Sequence, residues 1–341
     1  MLDYFKRIVS GYLFTPIKKT EAFKMPYKVI NLHYEKQASA IPIIEPTSAQ
    51  KPLSPEQAAS NRTNYTLQGV QLGEVAVCKR VLVFIKGMGN HLFFNNRRFE
   101  ETMASMGQHC IGYSANPFGV INHVKNMRPF FYKAKSIMLD DVVDDYKCFI
   151  EAVMNKHPEA RLTLVGHSAG GVFAKLAAKR LMLTPLRERI DCIYSAASFN
   201  SITGFIDKMT IAEMLGPKRA KLAYRLLGLL DVVNTLSFGS VKYGIKAALH
   251  KSGWADTTEE IESVLPKGRF WQSNIMPQYD DMIGTLASVI EESKFGKILM
   301  PIDNSVSSAH GMAPSQLMLA NGQTEQLFIK KIMRQCFDRL D

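Results

Sequence analysis

The sequence predicts an α/β layered domain: a mainly parallel sheet flanked by helices, interrupted by a helical cap insertion. Three observations predict it. Short apolar runs alternate with amphipathic helical segments from about residue 64 onward. The run Arg80–Ile85 (RVLVFI) is continuously apolar after its first residue, as in a parallel strand buried on both faces. The rhythm breaks over about 200–265, in Leu- and Met-rich helical segments such as 217–233, and then resumes.

Residues 1–63 read as an N-terminal extension. Leu2, Phe5, Val9 and Tyr12 share one side of a short helix that either docks on the domain or lies at a membrane interface. Residues 25–34 alternate like a strand, and 37–60, with Pro42, Pro46, Pro52 and Pro55, form a long loop or linker. The main domain spans 64–341. TLQGVQLGEVAV (66–77) is expected to form paired strands, followed by the strand 80–85 and a helix over about 95–106. Next come a strand at 110–113 and a helix at 140–156, whose inner face is Val142, Val143, Tyr146, Phe149, Ile150 and Val153. A strand at 161–165, a helix at 172–183 and a strand at 190–194 complete this half. After the insertion, a strand at 269–276, a helix at 284–294, a strand at 297–300 and a closing helix over about 314–338 are expected.

Composition narrows the function classes. The chain has 341 residues, 46% of them hydrophobic and 21% charged, ordinary for a globular protein with a sizeable core. No apolar run reaches the ~18 residues of a membrane span, and the N-terminus lacks a signal-peptide pattern, so a cytoplasmic location with peripheral membrane contact is expected. The five cysteines are widely spaced without a C-x-x-C pair, which argues against a disulfide framework and a zinc site. The net charge of +11 is spread along the chain rather than blocked. Such a pattern suits an anionic membrane surface or a phosphate-bearing substrate better than a nucleic acid, although it equally suits plain solvation.

The chemistry-bearing motif is Gly166-x-Ser168-x-Gly170. Alone it is weak, since three fixed residues at about 7% each recur by chance in roughly one chain in ten of this length. Here it falls straight after a hydrophobic strand and before a helix, where a nucleophile elbow needs a sharp turn and small residues on either side of the serine. The segments RLTLVGHSAGG (161–171) and VLVFIKGMGN (81–90) resemble those of the α/β-hydrolase superfamily, specifically its lipase- and esterase-like members. The resemblance covers roughly 64–341 in element order and implies that fold, a serine hydrolase activity and no cofactor or metal.

A serine needs a base and the base an orienting acid, in the superfamily's order serine, acid, histidine. Only His250 and His310 follow Ser168. His250 lies in the insertion, whereas His310 lies just beyond the last strand, where the resemblance places the base. Asp280, after the 269–276 strand, resembles the family's acid turn; Asp281 is the close alternative, and helix capping is the bland role for either. Asp191, Asp207, Asp231 and Asp256 fit the connection less well. The oxyanion donors implied are the backbone N–H groups of Ala169 and Met88. The family often has His-Gly where this chain has Lys86-Gly87.

These assignments predict acyl transfer to Ser168 and hydrolysis through His310. The apolar insertion and Met127–Tyr132 suit an acyl chain, and between Ser201 and Lys251 eight basic residues face three acidic ones. A lipid ester is therefore the expected substrate. A thioesterase or acyltransferase with the same triad, or a catalytically silent lipid- or partner-binding protein, remain the alternatives.

Overall fold

The structure, a computed structural model, describes residues 23–37, 62–86, 96–115, 139–198, 243, 247, 271–277, 297–300, 313–316 and 322–337. Eight strands form one sheet: β1 (Tyr27–Gln37), β2 (Arg62–Leu72), β3 (Arg80–Ile85), β4 (Cys110–Ala115), β5 (Arg161–His167), β6 (Ile190–Ala196), β7 (Trp271–Pro277) and β8 (Lys297–Met300). Their order is β1-β2-β4-β3-β5-β6-β7-β8. β2 pairs antiparallel with both β1 and β4, and all other pairings are parallel, so seven strands point one way.

The described helices are α1 (Asn96–Ala104), α2 (Leu139–Lys156), α3 (Ala169–Leu181) and α4 (Glu325–Phe337). They cover both faces, which explains why β3 reads as one apolar run. Val81, Val83 and Ile85 pack with α2 and α3, while Leu82 and Phe84 pack with Phe99 of α1 and Ile329 of α4. Each such side chain, taken fully out of water, contributes about 1.5–3 kcal/mol. The predicted inner face of α2 is buried throughout, from Val142 to Val153.

Three boundaries differ from expectation. The second strand of the 66–77 pair does not form. Gly73 has φ +77 and its N–H donates to the Pro26 carbonyl at 3.2 Å, so the chain turns off after Leu72. Helix α3 starts at Ala169 rather than Val172, because its glycines are held by tertiary contact despite their poor helix propensity. The closing helix begins only at Glu325, after Gly322 at φ +79. The insertion expected over about 200–265 lies outside the described residues except for Tyr243 and Ala247, both helical. The N-terminal helix, the 38–60 loop and the 284–294 helix also lie outside them. β1, expected within the N-terminal extension, is hydrogen-bonded to β2 from Tyr27↔Leu72 to Gln37↔Arg62. No helix among the described residues is long and apolar enough to cross a membrane.

Candidate functional site

A parallel sheet gathers its strand ends. The chain leaves β3, β4, β5, β6, β7 and β8 at one edge, and β3 and β5 are neighbours whose following helices pack on opposite faces, α1 on one and α3 on the other. Such divergence marks the place, outside the carboxyl ends of the two strands, where open α/β sheets hold ligands. Ser168 sits there, between the last residue of β5 and the first of α3.

Its backbone is unusual. Ser168 has φ 57 and ψ −132, a left-handed region that residues with a Cβ rarely adopt. The turn is fixed from several sides. The Ser168 N–H donates to the Ala196 carbonyl and the Gly171 N–H to the Ser168 carbonyl, both at 2.9 Å. A Cβ on Gly166 would come within 2.4 Å of the Gly170 carbonyl oxygen, and one on Gly170 within 2.1 Å of the Ile85 oxygen. Backbone meets backbone at both points, so only glycine lets β3, β5 and the start of α3 approach this closely.

Ser168 occupies the N-cap position of α3, where a serine hydroxyl ordinarily accepts a helix N–H. Here no side-chain capping bond is made. The residue's type and strained backbone are therefore not explained by helix capping. Ala169 is the first residue of α3, so its N–H belongs to the first turn, whose donors have no intrahelical acceptor and carry the positive end of the helix dipole. Gly166, Ser168, Ala169 and Gly170 are thus brought together. Met88, Asp280, Asp281 and His310 lie outside the described residues, as do His91, His250 and Met127–Tyr132. By chain order Met88 follows the end of β3, Asp280 and Asp281 that of β7, and His310 that of β8.

Two residues beside the elbow gain weight from the structure. Gly171 is as constrained as the two motif glycines, since a Cβ there would lie 2.2 Å from the Ser198 hydroxyl; the Gly170-Gly171 doublet was its only sequence signal. Lys86 directly follows β3 and is 1% exposed. Burial lowers its ammonium from the ordinary 10.5 to about 7. The alternation Leu82, Phe84, Lys86 continues toward the α1 face, but a lysine ending an apolar run reads as a strand leaving for solvent. His167 is also buried.

Asp191, weighed as an alternative acid, lies at the start of β6, the opposite edge of the sheet. It receives the Arg80 guanidinium at 3.1 Å and that of Arg161 at 3.4 Å. Burial still raises its carboxyl above the ordinary range, despite both cations. This aspartate joins strands at the edge of the sheet away from Ser168. Among the described residues no group of three or more His, Cys, Asp or Glu side chains could hold a metal ion.

Residues 78–228 match the family model of the serine aminopeptidases, S33, a span that runs from just before β3 through the elbow. No curated protein sequence matches the chain. Among solved structures, Est1E from Butyrivibrio proteoclasticus is 12% identical, over 80% of this chain and 96% of that one, with a TM-score of 0.49. Homoserine O-acetyltransferase from Staphylococcus aureus is 14% identical, over 93% and 96%, with a TM-score of 0.43. Dienelactone hydrolase from Anabaena variabilis is 11% identical, over 80% and 92%, also with a TM-score of 0.43.

Proposed function

We propose that the chain is an α/β-hydrolase that acts as a serine hydrolase of carboxylic esters, with lipid esters as the favoured substrates; the strand order and the matched segment 78–228 support the reading. The observation that carries the reading is Ser168, held at φ 57 at a helix start it does not cap. Strain of this kind costs about 1–3 kcal/mol and persists where surrounding packing imposes it.

In this reading His310 takes the Ser168 proton as the hydroxyl attacks the acyl carbonyl, and Asp280, or Asp281, orients the imidazole. The tetrahedral oxyanion is met by the N–H groups of Ala169 and Met88, with the α3 dipole adding to the first. His310 then returns its proton to the leaving alcohol, and water, activated by the same imidazole, releases the acid from Ser168. No cofactor is required. The Leu- and Met-rich segment 200–265 and its excess of basic residues support an acyl chain with an anionic headgroup or membrane nearby.

A second reading has a specific support. The matched model is described as a serine aminopeptidase, and amide cleavage would use the same triad with an amine as leaving group.

The test is labelling with a fluorophosphonate probe alongside turnover of p-nitrophenyl butyrate, p-nitrophenyl palmitate and an aminoacyl p-nitroanilide. Wild type should label and cleave the esters, palmitate preferentially; Ser168→Ala should do neither, and His310→Ala should lose roughly 10³-fold or more. Asp280→Asn and Asp281→Asn decide the acid, since only the true one should approach the His310→Ala loss. Faster anilide turnover would favour the peptidase reading. A folded wild type that neither labels nor turns over any substrate, with or without anionic liposomes, would sink the enzyme reading.

A further inference from the structure

We propose that α1 positions the catalytic histidine loop, and that Glu101 is the positioning residue through which it does so; the inference rests on the serine hydrolase reading with His310 as base. Helix α1 starts ten residues after Lys86, immediately beyond the segment that carries Met88. Three residues within about one turn, Arg98, Glu100 and Glu101, tie it to other parts of the chain. Glu100 accepts the backbone N–H groups of Lys24 and Met25, the latter at 2.7 Å, which anchors the approach to β1. Arg98 donates to both carboxylate oxygens of Glu325, at 2.8 and 3.0 Å, and Glu325 also accepts the Tyr194 hydroxyl at 2.6 Å. Glu101 accepts the backbone N–H of Ser315 at 2.8 Å.

The last contact matters because of where Ser315 lies. It belongs to a turn, 313–316, that begins three residues after His310, a length of chain that reaches at most about 11 Å. The turn is closed on itself by Gln316 N–H to the Ala313 carbonyl at 2.9 Å and by Ala313 N–H to the Gln316 side-chain oxygen at 3.2 Å. Its Pro314 carbonyl accepts the Gln326 N–H of α4 at 3.1 Å, and Ala313 and Pro314 are buried. So the turn is joined to α4 on one side and to α1 on the other, and α4 is itself joined to α1 through Glu325. One short helix thereby connects the segment carrying a proposed oxyanion donor to the segment carrying the proposed base.

Glu101 is suited to this task as a charge. Burial opposes its ionisation, yet the Ser315 backbone and side chain and the Arg97 guanidinium outweigh that and hold its carboxyl below the ordinary range. At neutral pH the Ser315 contact is therefore a charge-assisted hydrogen bond. A bond that served only to hold the fold together would matter for stability alone. A bond that sets the histidine's place would matter for the chemical step, where a displacement of about 1 Å can cost on the order of 100-fold.

The experiment compares Glu101→Ala, Glu101→Gln and Arg97→Ala with wild type, measuring kcat and KM for a p-nitrophenyl ester, the pH profile of kcat/KM and thermal midpoints. Gln keeps an acceptor oxygen for Ser315, and Arg97→Ala removes the neighbouring cation without touching that N–H. The expected result is a fall of about 10- to 100-fold in kcat for Glu101→Ala with KM within about twofold, a displaced acid limb of the profile, and recovery to within about threefold in Glu101→Gln and Arg97→Ala. An unchanged kcat in folded Glu101→Ala overturns the proposal, as does a loss that tracks the thermal midpoint equally in all three variants. The underlying reading fails separately: if wild type does not label, or His310→Ala keeps full activity, there is no base for α1 to position.

Discussion

Replacing Ser168 by glycine and, separately, by alanine isolates the strain in the elbow. Both substitutions delete the hydroxyl. Alanine keeps a Cβ at φ 57 and ψ −132, so it keeps the steric cost; glycine removes it. That cost is about 1–3 kcal/mol for a non-glycine residue in such a region. Glycine gives back about 0.5–1 kcal/mol through the greater freedom of the unfolded chain. Taking the middle of each range, Ser168→Gly should therefore be more stable than Ser168→Ala by about 1 kcal/mol. The geometry has no easy way to relax in the alanine variant, because Gly166, Gly170 and the Ala196 carbonyl fix the turn on three sides. The assay is urea unfolding of the two variants beside wild type, with fluorophosphonate labelling to show that both have lost the nucleophile. If Ser168→Gly is no more stable than Ser168→Ala, the backbone is not strained and the case for a built nucleophile elbow loses its main support.

Two further outcomes are expected. Lys86→Met should change how stability depends on pH: the folded-state pKa of about 7 lies below the unfolded 10.5, so the unfolded chain binds more protons between those values and wild-type stability rises with pH across that window. The methionine variant lacks this dependence, so its advantage over wild type should shrink by about 2 kcal/mol between pH 7 and pH 9 in urea titrations, and a constant difference would show that Lys86 is not neutralised by burial. Gly170→Ala would bring a Cβ to 2.1 Å from the Ile85 oxygen and 2.6 Å from the Lys86 oxygen, so α3 must move away from β3; labelling should slow by about 100-fold or more, and labelling at the wild-type rate would refute the packing argument.

How much of this was legible in the sequence depends on how local the cause is. The strand Arg80–Ile85 falls on its expected bounds because a strand buried on both faces is a contiguous apolar run, here with a polar residue at its start, and Lys297–Met300 falls on its expected bounds too. The inner face of α2 was legible from its spacing for the same reason. The elbow was legible because its glycines, serine and strand sit within eleven residues. The start of α3 was not, since Gly170 and Gly171 lower helix propensity and only contacts with Ile85 and Ser198, far along the chain, reveal why they are helical. The end of β2 and the start of α4 turn on Gly73 and Gly322 at positive φ, and nothing local distinguishes a glycine that turns the chain from one that does not. The Arg98–Glu325 pair, 227 residues apart, and the Glu101–Ser315 contact, 214 apart, carry no local pattern at all.

The two edges of the sheet use polar groups in opposite ways, and that contrast argues for where the chemistry lies. At the edge where β3, β5 and β6 begin, Arg80, Arg161 and Asp191 compensate one another's charge across three strands. Polar atoms there are spent on holding strands together. At the edge where the same strands end, Ser168 keeps a strained backbone without capping its helix, and Lys86 is buried deeply enough to fall to about 7. Neither feature adds stability; each lowers it. Strain and desolvation maintained side by side, at the carboxyl ends of two neighbouring parallel strands whose helices go to opposite faces, fit a site better than a core.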